Sequence, residues 1–428
     1  MSVTQPPAVT APSGLTAQVI QRHDRHMSNN YARQPIVMVQ GQGSTLVDAD
    51  GKSYLDLFCG FGAGLLGHAH PALVRAVNEQ AQKLWHPGNT FHTEPQTLLA
   101  EQIARQGFGG KSFFAHSGAD ANEAAIKLAR LYGAAHPATG SSCGGSPVGR
   151  YKIVTALHSF HGRTFGAMVA TGQPKVSQGF DPLLQGFAHV PFNDLEAMRR
   201  AIDPLTVAIM VEPIQGEGGI NVPDDGYLPG LRRLCDEHDL LLICDEVWTG
   251  GGRTGRWFAH QHWGIEPDVM TLAKGVGGGL PVGVICVKDR VARLFDHREH
   301  GRVVHATTLG GNCLSMAVAH AVFHTIEREG LVQHAAQLGE HAMSRLRAAA
   351  TRLPLIKQVR GRGLFIGVEL QAQESPALNA AEVVRRCRDR GLLINATQDV
   401  VLRIAPAINI SRREIDQGLD ILESVLAG

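Results

Sequence analysis

The chain reads as an α/β protein built on a mostly parallel sheet, and three observations predict this. Short apolar runs alternate with helical patterns through the middle of the chain. One run, Leu240 to Cys244, is continuously apolar, as a strand buried on both faces must be. Several runs end abruptly in glycine, serine or a charged residue, at the carboxyl ends of strands where open α/β sheets bind ligands.

Taken in order, residues 1 to about 20 carry Pro, Ser, Thr and Ala and predict a flexible arm. From Pro35 to Leu57, apolar residues around an Asp50-Gly51 turn predict short strands. Pro71 to Trp85 and Glu94 to Arg105 have helical spacing, the first beginning at a proline suited to the first helical turn. Then come a strand at Ser112–Ala115, a helix at Ala119–Tyr132 and a strand at Lys152–Leu157, with a surface loop from Gly140 to Gly149 between them. A strand at Thr206–Val211, a helix at Leu228–His238 and strands at Leu240–Cys244, Val269–Ala273 and Val282–Val287 follow. From Gly311 the character changes to two long helices, Cys313–Arg328 and Leu331–Arg352, then Leu364–Leu370, an amphipathic helix at Ala380–Arg390 and short strands near Leu393 and Val401–Ile404. That tail predicts a second, α+β domain.

Composition narrows the class of function. With 428 residues, 44% apolar and 18% charged, the chain has a large core and room for two or three domains. A net charge of +1 offers no field for nucleic acid or a membrane surface. No uninterrupted apolar window is long enough to span a bilayer. The first twenty residues lack the basic start and apolar stretch of a secretory signal. Seven scattered cysteines with no CxxC pair argue against a zinc or thioredoxin site, so no metal is expected, and fit a reducing, cytoplasmic compartment.

The chemistry gathers at the strand ends. Val269 to Ala273 delivers Lys274 into the glycine-rich run Gly275-Val-Gly-Gly-Gly279. A lysine crowded into a dry site loses proton affinity and becomes a nucleophile able to form a Schiff base. Read alone, Lys274 is equally a solvated charge closing a strand. His116-Ser-Gly-Ala119 turns from a strand into a helix whose free N–H groups suit a phosphate, although a plainly capped helix would look the same. Asp245 ends the buried strand and needs a cationic partner, which an arginine or a protonated ring nitrogen can supply. Phe160 can lie against a flat ring, and Arg163 can grip a carboxylate bidentately. Two acids, Glu212 and Glu217, follow another strand, and Arg403 follows the apolar pair Val401-Leu402. Each has an ordinary ion-pair reading. Together, a phosphate site, an aromatic plate, a carboxylate and a lysine are the parts needed to hold a pyridine aldehyde phosphate.

The strings YARQPIVMVQGQG, HSGADANEAAIKLARLYG, SFHGRT, FNDL, VEPIQGEGGI, DEV, GGGRTGRWFAH, PDVMTLAKGVGGGLPVG, TTLGGNCLSMAVA and RGRGLFIGVEL run in order from about Tyr31 to the C-terminus. In sequence and spacing they resemble the class III pyridoxal-phosphate aminotransferases, and within them the acetylornithine and ornithine enzymes. The resemblance implies a fold type I transferase. Residues 1–68 would form an arm and a segment joining the small domain, 69–310 the large cofactor-binding domain, and 311–428 the small domain. It implies a homodimer with sites at the subunit interface. Gly118 and Ala119 would bind the phosphate of pyridoxal 5'-phosphate, Phe160 would stack on its ring and Val247 would press on the opposite face. Asp245 would pair with the ring nitrogen and Lys274 would carry the aldehyde. Thr308 would reach the neighbouring subunit's phosphate, with Thr307 beside the substrate. Arg163 would hold the carboxylate of acetylornithine, Arg403 the α-carboxylate of glutamate, and Glu217 would mask Arg403 while the amino donor reacts.

These parts imply a ping-pong transfer of the δ-amine of N-acetylornithine, or of a close relative, to 2-oxoglutarate. Ornithine, succinylornithine, 4-aminobutyrate or diaminobutyrate remain as alternative donors. One position departs from the family. A glutamine usually follows Asp-Glu-Val, its amide reaching the ring hydroxyl of the cofactor, and here the residue is Trp248. An indole is far bulkier and donates one hydrogen bond, so this contact is expected to be lost, the pocket reshaped, or the ring turned away.

Overall fold

The computed structural model describes residues 14–137, 142–143, 146–147, 149–371 and 379–428. Its centre is a seven-stranded sheet. The strands in chain order are β1 (Lys111–Ala115), β2 (Lys152–Ala156), β3 (Phe187–Val190), β4 (Thr206–Val211), β5 (Leu241–Asp245), β6 (Val269–Leu272) and β7 (Gly283–Val287). They lie side by side in the order β1-β7-β6-β5-β4-β2-β3. Every pairing is parallel except those of β7, which runs antiparallel to both β1 and β6. The sheet is thus mixed and mostly parallel, as the alternation of runs predicts.

Both faces are covered, which explains the continuous apolar strands. Leu241 and Ile243 of β5 point into a core shared with Ala121, Ala125 and Leu128 of the helix Gly118–Ala135. Leu242 and Cys244 point the other way, toward Leu228, Leu231 and Leu234 of the helix Tyr227–Glu237. β6 is anchored at its start by Asp268. One carboxylate oxygen of Asp268 accepts the Leu242 N–H at 3.0 Å and Arg232 at 2.8 Å, and the other accepts Arg290 at 2.6 Å. Burial alone would raise this carboxyl's pKa; the arginines and the N–H hold it below the usual carboxylate range. The strand that delivers Lys274 is therefore fixed against β5 at one end.

Ile356–Arg362, Phe365–Leu370, Val401–Ile404 and Asn395–Thr397 form a second, antiparallel sheet in that spatial order. Met38–Gln42, Thr45–Asp48 and Ser53–Asp56 form a third, closed by Leu392–Leu393 running parallel to Ser53–Asp56. Leu55, Leu57, Leu65 and Leu66 share one core with the C-terminal helices, so the early strands and the chain's end pack together.

The structure differs from the sequence reading at several places. Residues 14–26 form a helix, Gly14–His26, where a flexible arm was expected; residues 1–13 lie outside the described residues. The helix starting at Pro71 stops at Ala81, short of Trp85. Strands β3 and Ile356–Arg362 were not anticipated. β3 is a half-exposed edge strand and Ile356–Arg362 is mostly polar, so neither gives a run of apolar residues. Most of the expected loop at Gly140–Gly149 lies outside the described residues. Among the described residues, no helix is long and apolar enough to cross a membrane.

Candidate active site

A cavity of about 520 Å³ opens at the carboxyl ends of the parallel strands, within the usual range for a small-molecule site. Its wall includes Gly118, Ala119, Phe160, Arg163, Glu217, Asp245, Val247, Trp248 and Lys274. The candidates read from distant parts of the sequence are thus brought to one place. Three stand differently. Arg403 is 1% exposed and reaches the site through Glu217 and Trp248 rather than lining the wall. Thr307 is half-buried and meets the cavity residue His116 at 3.2 Å. Thr308 is exposed and lies outside this cavity.

Lys274 follows β6 with a backbone φ of 46°, a conformation that L residues rarely adopt. Such strain persists only where the surroundings enforce it. Burial pushes the amine's pKa below its ordinary value; Glu217, Asp245 and Glu212 pull it back up, and Arg403 depresses it further. The result is a lysine closer to the free-amine form than one in water.

Asp245 ends β5 and is 3% exposed. Its Oδ2 accepts hydrogen bonds from Asn122 Nδ2 at 2.8 Å and His161 Nδ1 at 2.7 Å, and its Oδ1 accepts the Val247 N–H at 3.0 Å. A carboxylate has about four acceptor directions, so one remains on Oδ1 for a cationic N–H in the cavity. The neighbouring Glu246 points elsewhere. It accepts the Ala259 and His260 N–H groups at 2.9 and 2.8 Å and holds the turn behind the sheet. Sequence reasoning missed Asn122 and His161. Both lie inside recognised strings, but nothing local marks them as partners of Asp245.

The helix Gly118–Ala135 brings its N-terminus to the cavity wall. The N–H groups of Gly118 and Ala119 have no acceptor within the helix, and Ser117 Oγ takes that of Asp120. A Cβ on Gly118 would lie 2.8 Å from Val247 Cγ1, so only glycine lets this end approach Val247. The Phe160 N–H donates to Glu212 Oε2 at 2.9 Å, and Arg163 lies 5.6 Å from the Phe160 ring centre on the exposed rim.

Trp248 is not turned away. It lines the cavity, 6% exposed, with the Lys274 Nζ 4.0 Å from its ring centre. The site fits a bound pyridoxal phosphate on its own chemistry. Two helix-end N–H groups suit the phosphate, and a free acceptor on Asp245 suits the ring nitrogen. Buried His161 Nε2, Asn122 Oδ1 and Trp248 Nε1 have no hydrogen-bond partner among the described residues.

Comparison with known proteins agrees with this geometry. The family model described as Aminotransferase class-III matches residues 26–426. An acetylornithine aminotransferase of Caldanaerobacter subterraneus subsp. tengcongensis is 44% identical over 96% of this chain and 99% of its own length. A succinylornithine transaminase/acetylornithine aminotransferase of Pseudomonas aeruginosa is 41% identical over 94% of this chain and 96% of its own. The crystal structure of ornithine aminotransferase from Toxoplasma gondii superposes with a TM-score of 0.89 at 29% identity, covering 97% of this chain and 96% of that one. The chain belongs to the class III aminotransferases. It is accordingly a transaminase that uses pyridoxal 5'-phosphate.

Proposed function

We propose that this enzyme moves the δ-amino group of N-acetylornithine to 2-oxoglutarate, giving the semialdehyde and glutamate in a ping-pong cycle of arginine biosynthesis. The observation that carries the proposal is the ion pair between Arg403 Nη1 and Glu217 Oε1, 3.0 Å long and beside Lys274. One pocket must take an ω-amine and then a dicarboxylate. An arginine that a movable acid can mask answers that need. The names of the relatives from Caldanaerobacter and Pseudomonas support the same substrate.

When bound, pyridoxal phosphate supplies an aldehyde and an electron-accepting ring. The chain's residues then divide the work as follows. The Gly118 and Ala119 N–H groups hold the phosphate. Asp245, oriented by His161 and Asn122, keeps a proton on the ring nitrogen. Phe160 and Val247, both on the cavity wall, would confine the ring. Lys274 would hold the aldehyde and, as a free amine, would move the proton at the substrate carbon that bears the reacting nitrogen, Cδ of an acylated ornithine or Cα of glutamate. Arg163, on the exposed rim, receives the carboxylate of the acylated donor, and Arg403 receives that of glutamate. Thr307 and Thr308 serve a second copy of the chain, in a cytoplasmic homodimer whose sites lie at the interface; the exposure of Thr308 supports this reading. Residues 69–310 act as the large cofactor-binding domain and 311–428 as the small one, which 1–68 joins as an arm and a segment; the core that Leu55, Leu57, Leu65 and Leu66 share with the C-terminal helices supports this division.

Succinylornithine is the second reading, favoured by the double name of the Pseudomonas relative. Single-turnover rates with N-acetylornithine, succinylornithine, ornithine, 4-aminobutyrate and diaminobutyrate decide among donors. N-acetylornithine is expected to be fastest. If it ranks among the slowest, the proposal fails. Lys274→Ala should abolish both turnover and the visible absorbance of the cofactor-loaded protein.

A further inference from the structure

Trp248 holds a position where the family resemblance places an amide, and its ring faces two cations. Lys274 Nζ lies 4.0 Å from the ring centre and the Arg403 guanidinium carbon 4.7 Å. A cation within about 6 Å of an aromatic face is drawn to the ring quadrupole, and indole is the best of the aromatic side chains for this. The ring is firmly seated. A Cβ on Gly62 would lie 2.3 Å from Trp248 Nε1, and one on Gly216 would lie 2.5 Å from Cε3. Phe58 and Phe365 lie 6.2 and 5.4 Å away, centre to centre. The indole N–H has no acceptor among the described residues, where packing holds the ring.

We propose that the Trp248 face is a docking platform for the Lys274 ammonium whenever that amine is not bonded to the cofactor, aiming the lysine into the cavity and favouring its charged form. This rests on the assignment of Lys274 as the amine that carries the aldehyde. Trp248 is then a positioning residue. An amide in its place has no π face, and would leave the ammonium to the carboxylates alone. The other groups facing Lys274 are Glu217, Asp245 and Glu212, which favour its charge, and Arg403, which opposes it. The ring works with the carboxylates, against burial and Arg403.

The test uses the full-length protein, stripped of cofactor, as wild type and as Trp248→Phe, Trp248→Leu and Trp248→Gln. Each is labelled with trace acetic anhydride across pH, and acetylation of Lys274 is read by peptide mass spectrometry. The labelling midpoint gives the proton affinity of that amine without any turnover. Loss of the ring should lower the midpoint by about one pH unit in the Leu and Gln variants. The Phe variant, which keeps a weaker π face, should fall less than half as far. An unmoved midpoint in the Leu and Gln variants overturns the proposal, and so does an equal fall in all three. Should the Leu and Gln variants not fold, wild-type protein still answers. Its tryptophan fluorescence must step at the Lys274 midpoint, and Lys274→Met must remove the step; absence of the step overturns the proposal. A separate arm guards the underlying assignment. If wild type loaded with pyridoxal phosphate shows no visible absorbance, the role of Lys274 itself fails, whatever the midpoints are.

Discussion

Glu217 and Arg403 form an ion pair of 3.0 Å in which the arginine side chain is 2% exposed and the glutamate 25%. The arginine is fixed from a second side. Its Nε donates to Asn395 Oδ1 at 3.0 Å, and Asn395 pairs with Arg403 across neighbouring strands. Among the described residues the glutamate side chain has only the arginine, although Thr397 and Gln398 hold its backbone carbonyl at 2.8 and 3.0 Å. Arg403 is the rigid partner and Glu217 the one with freedom to move.

That asymmetry predicts the outcome of Glu217→Gln. Arg403 stays in place with an uncompensated charge facing the pocket. N-acetylornithine then presents its α-carboxylate to Arg403, which places its acylated α-nitrogen, and not the δ-amine, at Lys274. Half-transamination by the ω-amine should slow roughly tenfold or more, because an unmatched buried charge costs several kcal/mol. The half-reaction with 2-oxoglutarate should hold within about threefold, since its arginine is intact. Stopped-flow measurement of each half-reaction separates the two. Equal losses in both would show that Glu217 is not a mask.

His161 should matter nearly as much as residues that line the wall more openly. Its Nδ1 lies 2.7 Å from Asp245 Oδ2, and both groups are buried. His161→Phe removes one of the two side-chain donors that orient this carboxylate. Groups that orient a working ligand typically contribute a factor of about 10 to 100. We expect kcat to fall by that factor, with weaker retention of cofactor on dialysis and little change in KM for 2-oxoglutarate. A variant with wild-type kcat would mean that Asn122 alone suffices.

These two cases mark what sequence can and cannot carry. Lys274 and Asp245 were legible because each ends a short apolar run, and a charge in that place is conspicuous. The parallel sheet was legible for the same reason, through β4, β5 and β6. Asn122 and His161 stand 123 and 84 residues from Asp245 along the chain, and no local pattern couples them to it. β3 escaped notice because an edge strand with only one buried residue has no apolar run to show. The identity of Trp248 was plain, but its direction depended on Gly62 and Gly216, which leave room for it from two remote segments.

Glu212 gives a prediction about pH. Burial pushes its carboxyl up to about 7; His161 pulls it down, Asp245 pushes it up, and the N–H groups of Gly216 and Phe160 pull it down. An unfolded glutamate titrates near 4.5. Between these values the folded chain keeps a proton that the unfolded chain has lost. The stabilisation is complete at low pH and disappears as pH rises through about 7. Glu212→Gln has no such proton. Thermal unfolding of both proteins from pH 5 to 8 should therefore show the wild type losing its advantage, or widening its deficit, as pH rises. A difference in Tm that stays constant over that range would mean that Glu212 is not protonated in the folded protein near neutrality.

Gly216 and Trp248 offer the sharpest structural test, because the clash between them would be steric alone. A Cβ on Gly216 would sit 2.5 Å from Trp248 Cε3 and 3.1 Å from Cζ3. Gly216 is not in the left-handed region, so alanine there brings no backbone penalty of that kind. Gly216→Ala should destabilise the protein by about 1–3 kcal/mol, the usual cost of overpacking a filled site. It should also displace the indole from Lys274, lowering the labelling midpoint of that amine. Adding Trp248→Gln removes the atoms that clash. The double variant should then be more stable than the sum of the two single changes predicts, with a coupling of about 1 kcal/mol or more. Urea denaturation of the four proteins in the cycle measures it. Strict additivity would mean that the ring moves out of the gap at no cost, and that its seat between Gly62 and Gly216 does not hold it over the lysine.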